Sequence, residues 1–439
     1  MTKVKENIVI VINMRRKLLT FILVVSVVLM SRLYVLHSFS ALCESAYVVE
    51  KIGNFWVAQN GTSGAVEFNT TDASTTIQSC IYNLTTNVYG SDGGRILLKS
   101  GSIFLTSPLV IPRPSIILEG EGRATGLVGN FTGDIITIKS ANETPGYQYT
   151  MFIKIRNMLF YPPPNNTFTQ TAIHLDTSGL KLFYINLEDL NIYGMNGIRT
   201  DQTDFGTTSN VMENLVVRNV IIQNAPSFGI KLWSSIDVTM DTVLVTFEQN
   251  GEDNYVHDTT GIQFTLNGVS SGTIITNTRV LRAQYGITII GPRDLMMSNV
   301  YSDICETWAF QLNNTINCLL TNIYAYSPTG TGLWITGADS SQNRIIGATI
   351  KNSKIGVQDD TPQDNRQYFD SVISESTLDN SISWQVKQND MFTNCNYAPT
   401  LNMIYVLEAI AIVFLAAVGY LGIGKLRRRE SVSCARQKP

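Results

Sequence analysis

The sequence predicts an all-β protein that forms a right-handed parallel β-helix of about ten coils. Three observations support this fold class. A four-residue strand motif recurs at intervals close to 24 residues, and a column of Asn and Asp residues recurs between its copies. The strands are also short and interrupted by Gly or Pro, as in GGRILLKSGSIFLTSPLVIPRPSIILEGEG at residues 93–122.

The repeated motif reads small residue, aliphatic residue, polar residue, apolar residue. Its copies begin at Ala172, Gly197, Gly229, Gly261, Gly286, Ala309, Gly332, Gly356 and Ser381. A period near 24 residues leaves room for three strands of four or five residues and three turns in each coil. Because one coil alone buries too little apolar surface, the coils must stack about 4.8 Å apart. Helical repeats of about 33 to 45 residues have the wrong period.

The second column consists of residues that tolerate a left-handed turn and that can hydrogen-bond along the axis of the stack. Its predicted members are Asn157, Asp189, Asn219, Asp241, Asn277, Asn299, Asn322 and Asp370, with Gly347 in the coil that lacks an Asn or Asp. We interpret the column as a structural ladder and not as a set of catalytic groups.

An open β-helix end would promote aggregation, so the first coil needs a cover. Residues 43–92 are predicted to form an N-terminal cap with a short helix. Thr75 and Gln78 match a capping box, and Ile77, Ile81 and Leu84 form one apolar stripe. The β-helix itself is predicted over residues 93–395.

Two apolar segments flank these parts. Residues 1–42 contain three basic residues followed by an apolar run at 18–30, which indicates a signal peptide or an uncleaved signal anchor. Residues 404–424 are predicted to form a transmembrane helix, and the basic tail at 425–439 should stay in the cytoplasm. The expected location is therefore a cell surface or a virion membrane, with a single membrane pass and an extracellular β-helix.

The N-glycosylation sequons agree with export. They are headed by Asn60, Asn69, Asn83, Asn130, Asn142, Asn165 and Asn313. The 439-residue chain has only 15% charged residues and a net charge of −3, so it offers no basic face for nucleic acid. Its six cysteines have no metal-binding spacing. Cys43–Cys80 and Cys305–Cys318 are candidate bridges, and buried free thiols are an equal alternative.

The front of the chain resembles the N-terminal signature of the pectate-lyase-like superfamily, which includes pectin lyases, polygalacturonases and phage tailspikes. In that signature a capping helix is followed by a Gly-Gly strand and then by a glycine-rich turn. The matching residues are Asp72, Ile77, Gln78, Ile81, Gly93, Gly94, Gly101, Gly120 and Gly122. With the coils that follow, the resemblance covers roughly residues 54–395 and implies the parallel β-helix fold.

The resemblance does not extend to a catalytic motif. The segment NGTSG replaces the acidic lead-in of the superfamily, and Lys99 stands where proline is usual. Asp359 and Asp360 match the paired aspartates of polygalacturonases, but the GHG and RIK motifs are missing. One such fold hosts many functions, so activity must be argued from a site.

Enlarged turns are the places where a solenoid carries chemistry. The turns at 161–171 and 248–260 occupy the same turn column, and 200–210 lies in another. The acidic loop contributes the candidate catalytic residues Glu252, Asp253, His257 and Asp258. Candidate substrate-binding residues are Asp201, Asp204 and Tyr255. A solvated loop is the competing interpretation, and His174 is interpreted as a structural histidine inside its strand.

The first hypothesis is a membrane-anchored extracellular protein that binds, and cleaves if it is an enzyme, surface or environmental polysaccharide. Cleavage would make it a polysaccharide lyase or a glycoside hydrolase. No cofactor is expected, except Ca²⁺ if it is a lyase. The second hypothesis is a non-catalytic adhesin or envelope spike with the β-helix as a rigid stalk. A homotrimer is expected by analogy with related spikes alone.

Overall fold

The computed structural model describes residues 46–84, 93–139, 150–164, 169–178, 181–201, 211–247, 256–266, 271–362, 365, 367–370 and 373–375. These residues belong to one compact unit. Their strands form one 22-stranded sheet, which bends into two faces, and one 10-stranded sheet, which is the third face. The predicted parallel β-helix is confirmed.

The strands follow one another around the coils in a fixed order of faces. The first face contains β4 (Gly94–Leu98), β7 (Ile116–Glu119), β16 (Ser235–Ile236), β19 (Ile274–Thr276), β22 (Met296–Ser298), β25 (Leu319–Thr321), β28 (Arg344–Ile346) and β31 (Tyr368–Asp370). The second face contains β5 (Gly101–Leu105), β8 (Thr125–Gly129), β20 (Arg279–Leu281), β23 (Tyr301–Asp303), β26 (Tyr324–Tyr326), β29 (Thr349–Lys351) and β32 (Ile373–Glu375). Four long strands bend across both faces: β10 (Thr150–Phe160), β12 (Leu182–Tyr193), β14 (Met212–Gln223) and β17 (Thr239–Thr246).

The third face is one sheet of ten parallel strands, one from each coil. Its members are β6 (Leu109–Ile111), β9 (Gly133–Lys139), β11 (Gln170–Asp176), β13 (Asn196–Thr200), β15 (Phe228–Trp233), β18 (Val256–Thr265), β21 (Ala283–Ile290), β24 (Trp308–Asn313), β27 (Thr331–Thr336) and β30 (Ile355–Asp359). The copies of the repeated motif from Ala172 to Gly356 lie on this face, and the predicted copy at Ser381 lies outside the described residues.

The core is built from inward rows of aliphatic side chains that stack from coil to coil. In the third face the aliphatic position of the motif forms one such row, in register along the sheet. The row consists of Ile136, Ile173, Ile198, Ile230, Ile262, Ile287, Phe310, Leu333 and Val357. Each of these side chains is at most 3% exposed. Burying such side chains stabilises the stack by about 1.5–3 kcal/mol each.

The small residue of the motif is required by close packing between coils. A Cβ atom on Gly261 would lie 2.2 Å from Cγ1 of Val280, which belongs to the second face of the next coil. It would also lie 2.6 Å from the carbonyl oxygen of Gly286, on the third face of that next coil. Only glycine or a similarly small residue therefore fits where the third face begins.

The predicted Asn/Asp column lies at the turn between the first and second faces. Asn157, Asp189, Asn219, Asn277, Asn299 and Asn322 all have left-handed backbone, with φ between 49° and 57°. Their side chains form the expected ladder along the axis. Asn219 Nδ2 donates to Asp189 at 2.6 Å, and Asn322 Nδ2 donates to Asn299 at 3.3 Å.

Two members of the predicted column are wrong by one residue. Asp241 pairs with Arg218, so Thr242 and not Asp241 is aligned with Asn219 and takes the left-handed conformation, with φ of 55°. Asp370 likewise pairs with Ile346, one residue before Gly347. Asp241 still joins the ladder, because its carboxylate accepts a hydrogen bond from Asn277 Nδ2 at 2.9 Å.

The first coil is covered by an antiparallel three-stranded meander and one helix. The meander strands are β1 (Tyr47–Ile52), β2 (Phe55–Asn60) and β3 (Val66–Thr70), and the helix is α1 (Ala73–Asn83). β1 also pairs in parallel with β4, which joins the cap to the stack. In α1, Ile77 and Ile81 are fully buried, as the apolar stripe predicted.

The predicted capping box at the start of the helix is wrong. The N-cap is Asp72, whose carboxylate accepts hydrogen bonds from the Thr75 amide and hydroxyl at 2.9 and 2.6 Å. The side-chain amide of Gln78 instead forms the pair of hydrogen bonds that a neighbouring strand would form. It donates to the Val110 carbonyl and accepts from the Val110 amide, each at 2.8 Å. The helix thus occupies the open edge of β6.

The predicted segments at 1–42, 404–424 and 425–439 lie outside the described residues, as does Cys43. Within the part of the chain that the structure describes, none of the helices has the length and apolarity that a membrane crossing demands. Cys80, Cys305 and Cys318 are buried free thiols, so Cys305 and Cys318 are not bridged.

Stacking of inward residues predicts that substitutions at two adjacent positions of one strand have very different effects on the free energy of unfolding. Replacing Ile262 by Ala should destabilise the protein by about 2–5 kcal/mol, because the cavity lies inside a row whose neighbours are held by their own coils. Replacing Gln263, the adjacent outward residue, should change stability by less than about 0.5 kcal/mol. Denaturant midpoints of the two variants test this, and equal midpoints would contradict the register.

Candidate functional site

The third residue of the repeated motif points away from the core, is buried or half-buried, and forms a row along the outside of the third face. Its members are Thr137, His174, Arg199, Lys231, Gln263, Thr288, Gln311, Trp334 and Gln358, one from each strand from β9 to β30. We call these nine residues the outer row. Six strand spacings separate His174 from Trp334, or about 29 Å.

A charged cluster occupies one end of the outer row, with His174 at its centre. Nδ1 of His174 lies 2.9 Å from Asp134 Oδ2, and Nε2 lies 2.8 Å from Asp201 Oδ1. Arg199 Nη2 lies 2.9 Å from the same Asp134 oxygen. The His174 side chain is only 10% exposed, whereas the Arg199 side chain is 31% exposed. One histidine is therefore clamped between two carboxylates, beside an arginine.

The strand register brings the residues of the charged cluster together. His174 and Arg199 are register partners on β11 and β13, and Asp134 comes from β9 in the coil before. Asp201 follows β13 directly, and its second oxygen accepts from the Thr177 amide at 3.0 Å. Three successive coils thus contribute to the cluster.

The electrostatics of the cluster favour a charged histidine. Burial alone would lower the pKa of His174, but the hydrogen bonds to Asp134 and Asp201 outweigh it and raise the pKa to about 9. Burial raises the pKa of Asp134, yet the hydrogen bonds from His174 and Arg199 lower it to about 2. The pKa of Asp201 is also lowered, because His174 overcomes the effect of burial. At neutral pH an imidazolium lies between two carboxylates.

Most donors of the cluster are already paired. Both ring N–H groups of His174 are bound to Asp134 and Asp201, and Arg199 donates to Asp134 through Nε and Nη2. Nη1 is the Arg199 group that remains for an external anion, and proton donation by the imidazolium requires one of its two carboxylates to be displaced. His174, Asp176 and Asp201 also place one ligand atom each within 4.8 Å of one another, as metal sites require. Calcium prefers six to eight oxygen ligands, so two carboxylates and one imidazole match it poorly. The imidazolium form opposes any cation there.

Aromatic side chains occupy the other end of the third face. The ring centroids of Tyr285 and Trp308 are 4.5 Å apart, and those of Trp308 and Trp334 are 5.3 Å apart. Both indoles are fixed by hydrogen bonds, Trp308 Nε1 to Thr288 at 3.0 Å and Trp334 Nε1 to Asp360 at 2.8 Å. We call Tyr285, Trp308 and Trp334 the aromatic platform. It is half-buried and preorganised.

The residues that the sequence proposed are placed at two edges of the third face. His257 is exposed near the start of β18 and lies 2.9 Å from Glu306 Oε2, just before the aromatic platform. Asp258 is exposed and left-handed, with φ of 56°, and its amide donates to Gln284. Asp201 lies in the charged cluster at the opposite edge. Glu252, Asp253, Tyr255 and Asp204 lie outside the described residues.

The sequon asparagines fall into two groups. Asn60, Asn69, Asn83 and Asn130 lie at the capped end of the stack, and Asn69, Asn83 and Asn130 are exposed. Asn313 lies on the third face at the end of β24, and its register partner on the next strand is Thr336. Asn142 and Asn165 are outside the described residues. Glycosylation of the seven remains a prediction.

Sequence reasoning did not find Asp134 or Arg199 and assigned His174 a structural role. The usable signal was the third position of the motif, which changes from His to Arg to Lys along consecutive strands. In a half-buried strand that position faces solvent. Three titratable residues in one outward row mark a charged strip, whereas Asp134 precedes the first motif copy.

Comparison with known proteins gives likeness of architecture alone. No protein-family profile matches the chain, and no curated protein matches it in sequence. Among solved structures, the A-module of the mannuronan C-5 epimerase AlgE6 from Azotobacter vinelandii is similar, with 12% identity and a TM-score of 0.42 over 70% of this chain and 92% of that one. The Dettilon tailspike protein is similar at 12% and 0.42, over 68% and 65%. The catalytic domain of a GH87 α-1,3-glucanase is similar at 11% and 0.36, over 65% and 62%.

The raised pKa of His174 makes stability depend on pH with a defined sign. A group whose folded pKa is raised contributes stability that is complete below its unfolded pKa, near 6.5, and is lost as pH rises through about 9. The stability difference between the wild type and His174→Gln should therefore shrink by about 3 kcal/mol from pH 6 to pH 9.5. Thermal unfolding at both pH values measures it.

Gln263→Ala is the matched control for that experiment, because it changes another outward residue of the same sheet. It should follow the wild type at both pH values. A wild-type advantage over His174→Gln that stays constant from pH 6 to pH 9.5 would show that the imidazole is not charged in the folded protein.

Proposed function

We propose that the chain is a polysaccharide-binding β-helix protein whose third face holds an extended sugar chain. The observation that carries this proposal is the outer row together with the aromatic platform. It is a strip of hydrogen-bonding and aromatic side chains that repeats at the strand spacing for about 29 Å. A periodic polymer lying along the axis would meet an equivalent side chain at every coil.

The aromatic platform supplies the contact surface for sugar rings. A pyranose presents an apolar C–H face that packs against an aromatic ring, and its hydroxyls remain free for polar partners. The amides of Gln263, Gln311 and Gln358 lie in the same row and carry both donors and acceptors. Because the two indoles are already fixed by hydrogen bonds, little conformational entropy would be lost on binding.

The basic residues of the outer row favour an acidic polysaccharide. Arg199 and Lys231 are register neighbours on β13 and β15. The Lys231 amine lies 5.2 Å from the centroid of the Phe228 ring, and burial lowers its pKa. A uronate carboxylate would pair with the Lys231 amine or with Nη1 of Arg199, because the Nε and Nη2 groups of Arg199 already donate to Asp134.

Cleavage of the bound chain is a second candidate function, and the charged cluster favours it. Each ring N–H group of the His174 imidazolium is bound to a carboxylate, so a glycosidic oxygen would receive that proton only by replacing Asp134 or Asp201 as its partner. Asp134 and Asp201 are both ionised at neutral pH, because their pKa values are lowered. The imidazolium would therefore take the place of the protonated carboxyl group that a glycoside hydrolase uses, and the displaced carboxylate would be the base.

We further propose that this binding takes place outside the cell or virion, with the chain held in the membrane by the predicted helix at 404–424. The predicted segments at both ends and the sequons support that location. A glycan on Asn313 would stand on the third face, so its occupancy would influence binding directly.

The proposal is tested by binding of the purified full-length protein to immobilised polygalacturonate, alginate and neutral dextran. Trp308→Ala should weaken binding at least tenfold, because a buried aromatic contact is worth about 1.4 kcal/mol or more. Tyr301→Ala is the matched control, since Tyr301 is an exposed aromatic residue on the second face. It should leave binding unchanged.

Unchanged affinity of Trp308→Ala, with folding verified by its denaturant midpoint, would overturn the proposed face. Product analysis in the same reactions separates the two functions. Unsaturated or reducing ends that disappear in His174→Gln support cleavage. Binding without products would leave a recognition protein with the β-helix as its stalk.

A further inference from the structure

A second concave site lies on the second face, away from the outer row. Its floor is a single register row across four successive coils, formed by Ser102, Gly126, Leu159 and Asn191 on β5, β8, β10 and β12. The pocket has a volume of about 370 Å³. That size lies within the range of small-molecule sites.

The hollow exists because the floor contains a glycine. A Cβ atom on Gly126 would lie 2.5 Å from Cε1 of Tyr161, so any larger residue would displace that ring. Tyr161 is held in place by a hydrogen bond from its hydroxyl to Ser102 Oγ at 2.7 Å. Its ring forms a wall that is fixed before any ligand arrives.

The remaining lining combines one cation with an aromatic and an amide group. Arg123 comes from the one-turn 3-10 helix Gly122–Ala124 that precedes β8, and it is exposed. Tyr193 and Gln223 are register partners at the ends of β12 and β14. Tyr193 is 47% exposed, so much of its ring surface remains accessible to a ligand in the pocket.

Arg123 has no anionic partner among the described residues. The carboxylate closest to it in sequence, Glu121, is already bound by Lys99 and accepts from the Ser100 amide at 2.9 Å. The guanidinium of Arg123 is thus available for an external carboxylate, which it would hold with two parallel hydrogen bonds. The amides of Asn191 and Gln223 and the hydroxyl of Ser102 suit a ligand with several hydroxyl groups.

We propose that this pocket binds a monosaccharide carrying a carboxylate, that is, a hexuronic acid or the acidic end of a glycan. The carboxylate pairs with Arg123, and the ring lies against Tyr161 and Tyr193. The site does not depend on the third face, since it uses another face of the coils and none of the same residues.

Binding of monosaccharides to the full-length protein by titration calorimetry tests the inference. Sodium glucuronate and sodium galacturonate should bind. Glucose and the methyl ester of glucuronic acid, which both lack the carboxylate, should bind at least tenfold more weakly. Arg123→Ala should weaken uronate binding at least tenfold, and Tyr193→Ala should weaken it as well. Arg218→Ala is the matched control, because Arg218 is an exposed arginine on β14 at the first face.

Trp308→Ala distinguishes this site from the third face. It should leave monosaccharide binding unchanged even where it abolishes polymer binding. The inference is overturned if neither uronate binds, if both bind equally to the wild type and Arg123→Ala, or if Trp308→Ala removes monosaccharide binding. Retained polymer binding in Arg123→Ala would support the separation of the two sites.

Discussion

The structure depends on the hydrogen-bonded register between successive coils. No coil closes a core by itself, so each strand must pair with the strand above and the strand below in one fixed alignment. A slip by one residue would turn every inward side chain of a strand outward. The row from Ile136 to Val357 runs through nine coils without such a slip. The same alignment therefore determines both the core and the outer surface.

The left-handed turn between the first and second faces maintains that register. A non-glycine residue in this conformation costs about 1–2 kcal/mol, and Asn loses least of this because its short amide can hydrogen-bond locally. Here the amides also bond to the next coil, so each turn is supported by its neighbour. Thr242 holds the same conformation without an amide, while Asp241 beside it makes the axial hydrogen bond. The ladder thus tolerates a shift of its polar group by one residue.

The fold was predictable from the sequence because the motif repeats at the period of the coils. Its inward residues must recur in every coil, since each coil packs against an equivalent coil above and below. The position of Asp241 was not predictable, since an Asp on either side of the turn can reach the ladder. The charged cluster was harder still. Asp134 and His174 are 40 residues apart, and only the register between β9 and β11 brings them together.

The separation between inward and outward positions also explains how such a fold acquires a site. The aliphatic position of the motif is confined to residues that fill the core, whereas the next position varies from His to Arg, Lys, Gln, Thr and Trp without changing the strand. A change at an outward position on a regular sheet leaves the inward core row unchanged, so that side chain can vary with what it binds. The proposed binding surfaces of this chain therefore lie in rows, where side chains one coil apart are neighbours, and the geometry of each row is set by the core beneath it. The charged cluster, the aromatic platform and the pocket around Gly126 are three instances of that single rule.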